Sequence, residues 1–438
     1  GIYWAYSDDN GQTWNRGNDT IFFKTGEITS LDGVADKQWM AVDRSPKSNF
    51  YNNLYVVYSK LGGVGANSEI IVKTKEAGKL TFNDQSASVG SDFIRVHFSD
   101  IKVDLNGEVH VTFWGRKRFQ GRSGIYHTFS KDGGQSFSTP TKVSDMYLYK
   151  YDEGRDADTI TGIKNDRLYP SPHLAVDNTN GPNQGNIYVT WTAQGVDQKS
   201  NEGTDIYFSK SEDGGLTWSD AKDITIDNKP QLHQFYSNID VNPDGKVVLS
   251  WYDRQEDPQN ELTHYYSAFS NDGGETFRGH NAVSKQPTDF STIGSKNNGF
   301  GIGEYNEVVT TSTHVIPFWS DGRNNNGDLD IMTAFVPYEE FPASKTRYTS
   351  INGDFSITKL YPNPASSQLN LDYKAQKAQS LNIRILNTQG KLVKRIQNRS
   401  VTKGESKLEL DLNQLKPGAY FLSIDGANGI YAEPFEVK

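Results

Sequence analysis

At 438 residues the chain is long for one ordinary core, so two domains, or one large β assembly with an appendage, are expected. Apolar residues make up 35%, yet aromatics reach 12% and there are 40 glycines, the balance of many short strands joined by tight turns rather than of helical bundles. A net charge of −9 without a basic block argues against nucleic acid or an anionic membrane as partner, and the absence of cysteine removes disulfides and thiolate metal sites. No run of about 18 apolar residues is present to span a bilayer, and an extracellular address stays open because a large β fold can stand without disulfides. No signal peptide opens the chain and Gly1 leads straight into a strand, so upstream sequence is expected either to have been removed or to lie outside this sequence.

In chain order, one frame returns four times: S-x-D-x-G-x-[ST]-[WF]. It is carried by Ser7, Asp9, Gly11, Thr13 and Trp14, and again by Ser130, Asp132, Gly134, Ser136 and Phe137. The third copy is Ser211, Asp213, Gly215, Thr217 and Trp218, and the fourth Ser270, Asp272, Gly274, Thr276 and Phe277. Each follows a short alternating aromatic run (IYWAYS, IYHTFS, DIYFSKS, YYSAFS). Residues 38–82, 97–137, 171–218, 235–277 and 303–337 each hold three alternating runs, with a degenerate box at 75–82 and none in the last. Strict alternation predicts strands, and four-stranded units recurring at this spacing predict an all-β fold, a β-propeller of about six blades. IYWAYS supplies a third strand without its first two. The longest insertion, between Ser138 and Tyr169, interleaves Tyr147, Tyr149 and Tyr151 with Asp152, Glu153, Asp156 and Asp158, and reads as a solvated acidic loop on the rim. The propeller is assigned to residues 1–338 and a linker to 339–357. Residues 358–438 then read as a small antiparallel β-sandwich, with turns at Asn387–Gly390 and Pro417-Gly418.

The repeated frame is the chemistry of a turn. An Asp carboxylate accepts backbone N–H groups, Gly supplies positive φ, and the closing Trp or Phe packs between sheets. Four similar carboxylates, Asp9, Asp132, Asp213 and Asp272, do not make one active site, which needs different groups converging on a point. These boxes resemble the Asp-box (BNR) repeats of sialidase-like β-propellers over roughly residues 1–337. The resemblance implies boxes on the outer edge and any active centre at the central pocket.

A sialidase needs an arginine triad, an F/Y-R-I-P segment, an Asp acid/base and a Tyr–Glu nucleophile pair. No F/Y-R-I-P occurs, and Phe93-Ile94-Arg95-Val96-His97 is the nearest string. Arg116, Arg254 and Arg323 recur just after second strands, as Asp–Arg loop ties or, in a sharper reading, as ligand-binding groups converging on an anion. The starts of inner strands offer Asp36 and Lys37, His97 and Asp100, Tyr169 and His173, His233 and Tyr236, and Glu304 with Tyr305. Of these, His97, His233 and Tyr236 are candidate ligand-binding residues. Tyr305 activated by Glu304 is the candidate nucleophile, with Asp36 or Asp100 as acid, although adjacent residues of a strand point to opposite faces. No H-E-x-x-H or comparable spacing calls for a catalytic metal, and no cofactor is required. A structural calcium would be sought among Asp152–Asp158 or Asp321–Asp330.

The C-terminal segment carries Tyr361-Pro362-Asn363-Pro364, the Asn387-x-x-Gly390 turn, Leu415-x-x-Gly418-x-Tyr420 and a closing Phe435-Glu-Val-Lys438. In that order these resemble the type A sorting domain of the type IX secretion system of Bacteroidota. The resemblance implies Sec-dependent passage to the periplasm, docking on an outer-membrane β-barrel shuttle of the translocon, and release outside or at the cell surface. Asp19-Thr20-Ile21 and Asp158-Thr159-Ile160 are similar to the D-[ST]-x glycosylation sites of such bacteria. Two functional classes follow: a propeller that binds a glycan or surface protein, and a sialidase-like glycoside hydrolase.

Overall fold

The computed structural model describes all residues except 18, 22–33, 63–67, 118–121, 153–167, 199–202, 226–230, 294–301, 303, 325–326, 342–354, 376, 388–391 and 427–428. Two compact units are present, one of Gly1–Phe277 with Asn281–Glu340, the other of Phe341–Lys438 with Arg278–His280. Both are built of antiparallel strands, and the larger is a β-propeller.

Its first blade pairs Val34–Val42, Leu54–Leu61, Glu69–Lys75 and Ala87–Val89 in that order. The second is Phe93–Val103, Val109–Lys117, Ser123–Ser130 and Thr141–Asp145, and the third His173–Val176, Ile187–Ala193, Asp205–Ser211 and Lys222–Asp223. Gln234–Val241, Val247–Asp253 and Leu262–Ser270 lead the fourth, while Glu307–Thr310, His314–Asp321 and Asp330–Thr333 form the fifth, with Val336–Pro337 on its second strand. The described residues of the larger unit therefore form five blade sheets, plus a hairpin, Ala5–Tyr6 with Asn15–Arg16, that carries the first box.

Alternation explains why these strands are apolar on both faces. Along Leu54–Leu61, Tyr55 and Val57 pack with Val111 and Phe113 of the second blade. Val56 and Tyr58 point the other way, onto Ile2 and Trp4 of the N-terminal segment. The fourth blade repeats this, with Leu249 and Trp251 against Tyr188 and Phe208, and Tyr252 and Tyr265 toward Trp319 of the fifth. Cover is thinner at the two end blades. Met40 is 69% exposed on the first, and Ile331 and Phe335 are 71% and 69% exposed on the fifth, whereas Ile101 and Ile239 of middle blades are buried.

The boxes lie in the turns between third and fourth strands, and their hydrogen bonds are nearly identical. In the third copy the Ser211 hydroxyl donates to Asp213 Oδ1 at 2.8 Å and accepts the Gly215 N–H at 2.8 Å. Asp213 also accepts the Thr217 N–H at 2.9 Å and the Thr217 hydroxyl at 2.6 Å. The second glycine of each turn lies over the preceding blade. A Cβ at Gly134 would meet Thr74 at 2.7 Å, at Gly215 the His127 ring at 2.1 Å, and at Gly274 the Phe208 ring at 2.4 Å. Trp218 packs edge-on against His127 at 5.3 Å and Phe277 against Phe208 at 5.1 Å. The boxes of the second, third and fourth blades are thus clasps between neighbouring sheets.

The smaller unit is a sandwich of two sheets. Phe355–Tyr361, Gln368–Ala375 and Gly404–Asp411 form one, and Leu392–Val401, Gln379–Asn387, Gly418–Gly426 and Gly429–Val437 the other. Leu369, Leu371, Ile383, Ile385, Leu422 and Phe435 fill the space between them. The Asn363 side chain accepts the Glu436 N–H at 2.9 Å, and Ala365 exchanges bonds with Glu436 and Lys438, so the segment after Pro362 and Pro364 is pinned to the last strand. Tyr420 stacks on Phe435 at 5.9 Å and donates to the Lys416 carbonyl at 2.8 Å. Gly418 has φ +152°. Gly390 lies outside the described residues.

Candidate functional site at the channel mouth

Three of the inner strands are kinked at the same place. The pairing of first and second strands slips between Asp36 and Trp39, between His97 and Asp100, and between Phe235 and Asn238. Within these bulges, and at the matching point of the third blade, sit non-glycine residues in left-handed backbone: Lys37, Phe98, Tyr236 and Ser171, at φ +56°, +56°, +52° and +36°. A bulge re-aims the side chains beside it. Here the first three blades aim Lys37, Trp39, Phe98, Ser171 and His173 at one depression, while Tyr236 of the fourth stays buried in its own layer.

The meeting point is Lys37. Its ammonium pairs with Glu304 of the fifth blade and lies 4.6 Å from the ring centre of Tyr169, 5.0 Å from Tyr305 and 5.5 Å from Phe98. Lys37 and Glu304 are 7% and 9% exposed, so both charges are largely withdrawn from water and need each other. Above this floor Trp39 stands 6.0 Å from Tyr305 and edge-on to His173 at 5.1 Å. Tyr305 is 40% exposed. The depression between them encloses only about 10 Å³, room for about one water molecule, and is lined by these side chains with Ser99, Ser171 and Pro172. Sites that engulf a ligand are far larger, so a sugar ring or side chain would rest over this one, against its aromatic wall, rather than sink into it.

Two histidine–carboxylate pairs flank the floor. His97 Nε2 is 3.2 Å from Asp36 Oδ2, and His173 Nδ1 is 3.4 Å from Asp100 Oδ2. Burial lowers the His97 pKa against the pull of Asp36, which leaves a neutral imidazole whose Nε2–H faces an ionised carboxylate. Burial works to raise Asp36, but the His97 hydrogen bond and the Lys37 charge outweigh it, and the carboxyl lies below its ordinary value. Asp100 is likewise held low: burial opposes, and Lys102, His173 and the Leu174 N–H prevail. Tyr305 moves the other way, pushed up to about 12 by burial and then by the Asp36 charge.

The remaining sequence candidates lie elsewhere. Arg254 is completely buried, donating from Nε to Thr263 at 2.9 Å and from Nη1 to the Asn260 carbonyl at 2.6 Å. Its neighbour Asp253 instead accepts Trp251 Nε1 at 2.8 Å and the Gln255 N–H at 2.7 Å. Arg323 is a loop tie, with Nε and Nη2 on the two oxygens of Asp321 at 2.8 and 2.5 Å. Arg116 sits half-buried near the end of a second-blade strand, paired in register with Arg95 and Ser123. Among the described residues none of the three arginines lines the channel-mouth cavity, so the structure does not assemble a triad from them. His233 accepts the Thr204 N–H at 3.2 Å, and burial and Arg254 push it down to about 3. Tyr236 is wholly buried and stacks on Tyr169 at 6.4 Å. Neither reaches the cavity, because each is packed inside its own layer of the ring.

Of the proposed calcium ligands, Glu153, Asp156 and Asp158 lie outside the described residues. Asp152 accepts the N–H groups of Leu148 and Ser123 at 2.9 and 3.2 Å. Asp321 is committed to Arg323, Trp319 and Thr288. Asp104, Glu108 and His110 also cluster, in the first hairpin of the second blade. Asp104 there accepts the N–H groups of Asn106 and Glu108, Glu108 pairs with Lys131 at 2.9 Å, and His110 meets His127 at 3.1 Å. That cluster braces a turn.

Residues 359–437 match the model of the secretion system C-terminal sorting domain, and residues 5–16 that of the BNR/Asp-box repeat. The chain is an Asp-box β-propeller with a sorting domain. That domain marks it as cargo of type IX secretion, exported to the cell surface or beyond. No curated protein sequence matches the chain. Among solved structures it is similar to a PL25 ulvan lyase at 14% identity, covering 85% of this chain and 84% of that one with a TM-score of 0.43. It is also similar to the α-L-arabinofuranosidase Arb93a of Fusarium graminearum, at 10% identity over 78% and 86% of the two chains with a TM-score of 0.46. A third likeness is the Penicillium chrysogenum α-L-arabinanase, at 11% identity over 89% and 97% with a TM-score of 0.42.

Trp39 is the functional candidate that sequence reasoning passed over. Its signal was present: QWMAVD is the inner-strand run with an aromatic where the other blades carry Asp100, His173 and Asn238.

Proposed function

We propose that the exported propeller is a carbohydrate-binding protein that holds one sugar residue at the channel mouth, against Trp39 and Tyr305. The observation that carries this reading is the part-exposed aromatic pair, 6.0 Å between ring centres, above a floor of paired polar groups. Aromatic faces cover the C–H side of a pyranose, and polar groups fixed by partners fit its hydroxyls without rearranging. The charge states support binding over hydrolysis. A glycosidase acid must keep its proton near neutral pH, whereas Asp36 and Asp100 are held low. A tyrosine nucleophile needs a free base beside it, yet Glu304 is neutralised by Lys37 and Tyr305 is pushed up to about 12.

A second reading, a glycoside hydrolase of sialidase-like type, is favoured by the two histidine–carboxylate pairs, since an imidazole oriented in this way is a general base. Calorimetry with a panel of neutral and acidic methyl glycosides, run beside fluorogenic glycosides, separates the two. Binding without turnover, weakened at least about tenfold by Trp39→Ala, is the expected result. Turnover abolished by His97→Gln would replace it with the second reading.

For the export route, the finer reading is a Bacteroidota producer, Sec-dependent entry to the periplasm, and docking of the sandwich on an outer-membrane β-barrel shuttle. Deletion of residues 360–438 should leave the propeller in the periplasm, and normal secretion of the truncated chain would refute it.

A further inference from the structure

The roomier cleft lies on the rim. Between the outer strands of the first blade and the box of the second is an open cleft of about 290 Å³, close to the lower end of the range for sites that hold small molecules. We propose that this cleft is a separate binding site for a neutral saccharide.

Its chemistry is unusual for a gap between sheets. Asn49, Asn53, Asn83 and Gln135 bring four side-chain amides to its walls, with Glu76 as the one charged group. An amide offers both donors and an acceptor, as a sugar hydroxyl does, so amides beside one carboxylate can match a run of hydroxyls. Tyr51 stands on the lip, 45% exposed, as a ring on which a pyranose face can lie. No lysine, arginine or histidine is among the lining residues, and the nearby Lys73 ammonium is turned to the Asn83 carbonyl at 3.4 Å, so an acidic sugar would face Glu76 without a cation in the wall. A peptide would look for a buried apolar anchor pocket, and polar walls do not offer one.

The walls are also built in advance. The loop that supplies Asn49 to Asn53 is wound on itself: Asp43 accepts the Ser45 N–H at 2.8 Å, Ser48 the Phe50 N–H at 2.9 Å, and the Phe50 carbonyl the Asn53 N–H at 2.8 Å. Asn53 is 7% exposed and its Oδ1 accepts the Ala77 N–H at 2.9 Å, which orients its amide. Across the cleft Asn83 donates to Glu76 at 3.3 Å, and Thr74 donates to the Gly133 carbonyl at 3.2 Å. Phe50 closes the floor against Gly133, where a Cβ would come within 2.6 Å of its ring. A ligand entering here orders little that is not already ordered, and that favours affinity.

The test is saturation-transfer NMR and calorimetry on the full chain, with methyl α-glucoside, methyl α-galactoside, methyl α-mannoside and N-acetylglucosamine as neutral probes and glucuronate as the acidic one. At least one neutral probe should bind, with glucuronate weaker by about tenfold or more. Measured in a Trp39→Ala chain, which lacks binding at the channel mouth, the remaining binding should persist, and adding Tyr51→Ala or Asn83→Ala should weaken it about tenfold. If Tyr51→Ala lowers the melting temperature, the exposed Gln135→Ala takes its place. The proposal is overturned if no neutral probe binds at about 10 mM, if glucuronate binds as well, if binding is lost with Trp39→Ala alone, or if what remains survives the rim variants.

Discussion

The first box and the three that follow are the same turn in two different situations. In the N-terminal copy Asp9 accepts the Thr13 N–H at 2.8 Å and its hydroxyl at 2.6 Å, and Ser7 takes the Gly11 N–H at 2.8 Å, matching the other copies to within a few tenths of an ångström. Yet a Cβ at Gly11 would meet only Trp14, at 4.0 Å, and Trp14 is 67% exposed where Phe277 is 9% exposed. The hydrogen bonds are a property of eight residues. The clasp is a property of the neighbouring blade.

The largest effect should come from breaking the clasp while sparing the turn. Gly215→Ala adds a Cβ that would lie 2.1 Å from the His127 ring, on a backbone at φ +88°. His127 is fully buried with no room to retreat, so overpacking and left-handed strain together should cost about 3 kcal/mol. Gly11→Ala carries the strain alone, about 1 kcal/mol. Urea unfolding of the two variants measures the difference. Equal losses would mean the boxes are local turns and nothing more.

Breaking the turn itself is the intermediate case. Asp213→Ala removes the acceptor of the Ser211 and Thr217 bonds and should cost about 1–2 kcal/mol, the size of a lost helix cap. Acid does the same reversibly. Asp9 is lowered to about 2, first by the Thr13 hydroxyl and then by the Thr13 N–H. A folded value below the unfolded one of about 3.9 means the bonds support the turn above that pH and are lost as pH falls through about 2. Protection of the Thr13 amide, taken relative to the unstructured-peptide rate at each pH, should therefore fall below about pH 3. Asp213 is also held low, with burial opposing and the Thr217 hydroxyl and N–H prevailing, so protection at Thr217 should be lost in the same direction.

This contrast marks what was legible in the sequence. The box, the alternating strands and the break before the sandwich are local patterns, written in neighbouring residues. The channel mouth is not local. It depends on bulges that place Lys37, Phe98 and Ser171 in left-handed backbone, and none of these is a glycine that would announce it. Inner-strand starts did point to Asp36, Lys37, His97, Asp100 and His173. The roles within that set were out of reach, because pairing Glu304 with Lys37 rather than Tyr305 is decided between blades distant in the chain. The arginines show the same limit. One motif position gives a loop tie at Arg323 and, at Arg254, an internal brace on Thr263 and Asn260.

The smallest effect should fall on the residue that looks most like a core anchor in the sequence. Trp14 closes the first box as Trp218 closes the third, and by the motif alone Trp→Ala should be equally damaging at both. Trp218 is partly buried on His127, and removing it opens space between two sheets at a cost of about 3 kcal/mol. Trp14 has little to lose, and Trp14→Ala should change unfolding by no more than about 0.5 kcal/mol. A large loss at Trp14 would mean that its ring is covered in solution. The first box would then be a clasp like the others, and the comparison would dissolve.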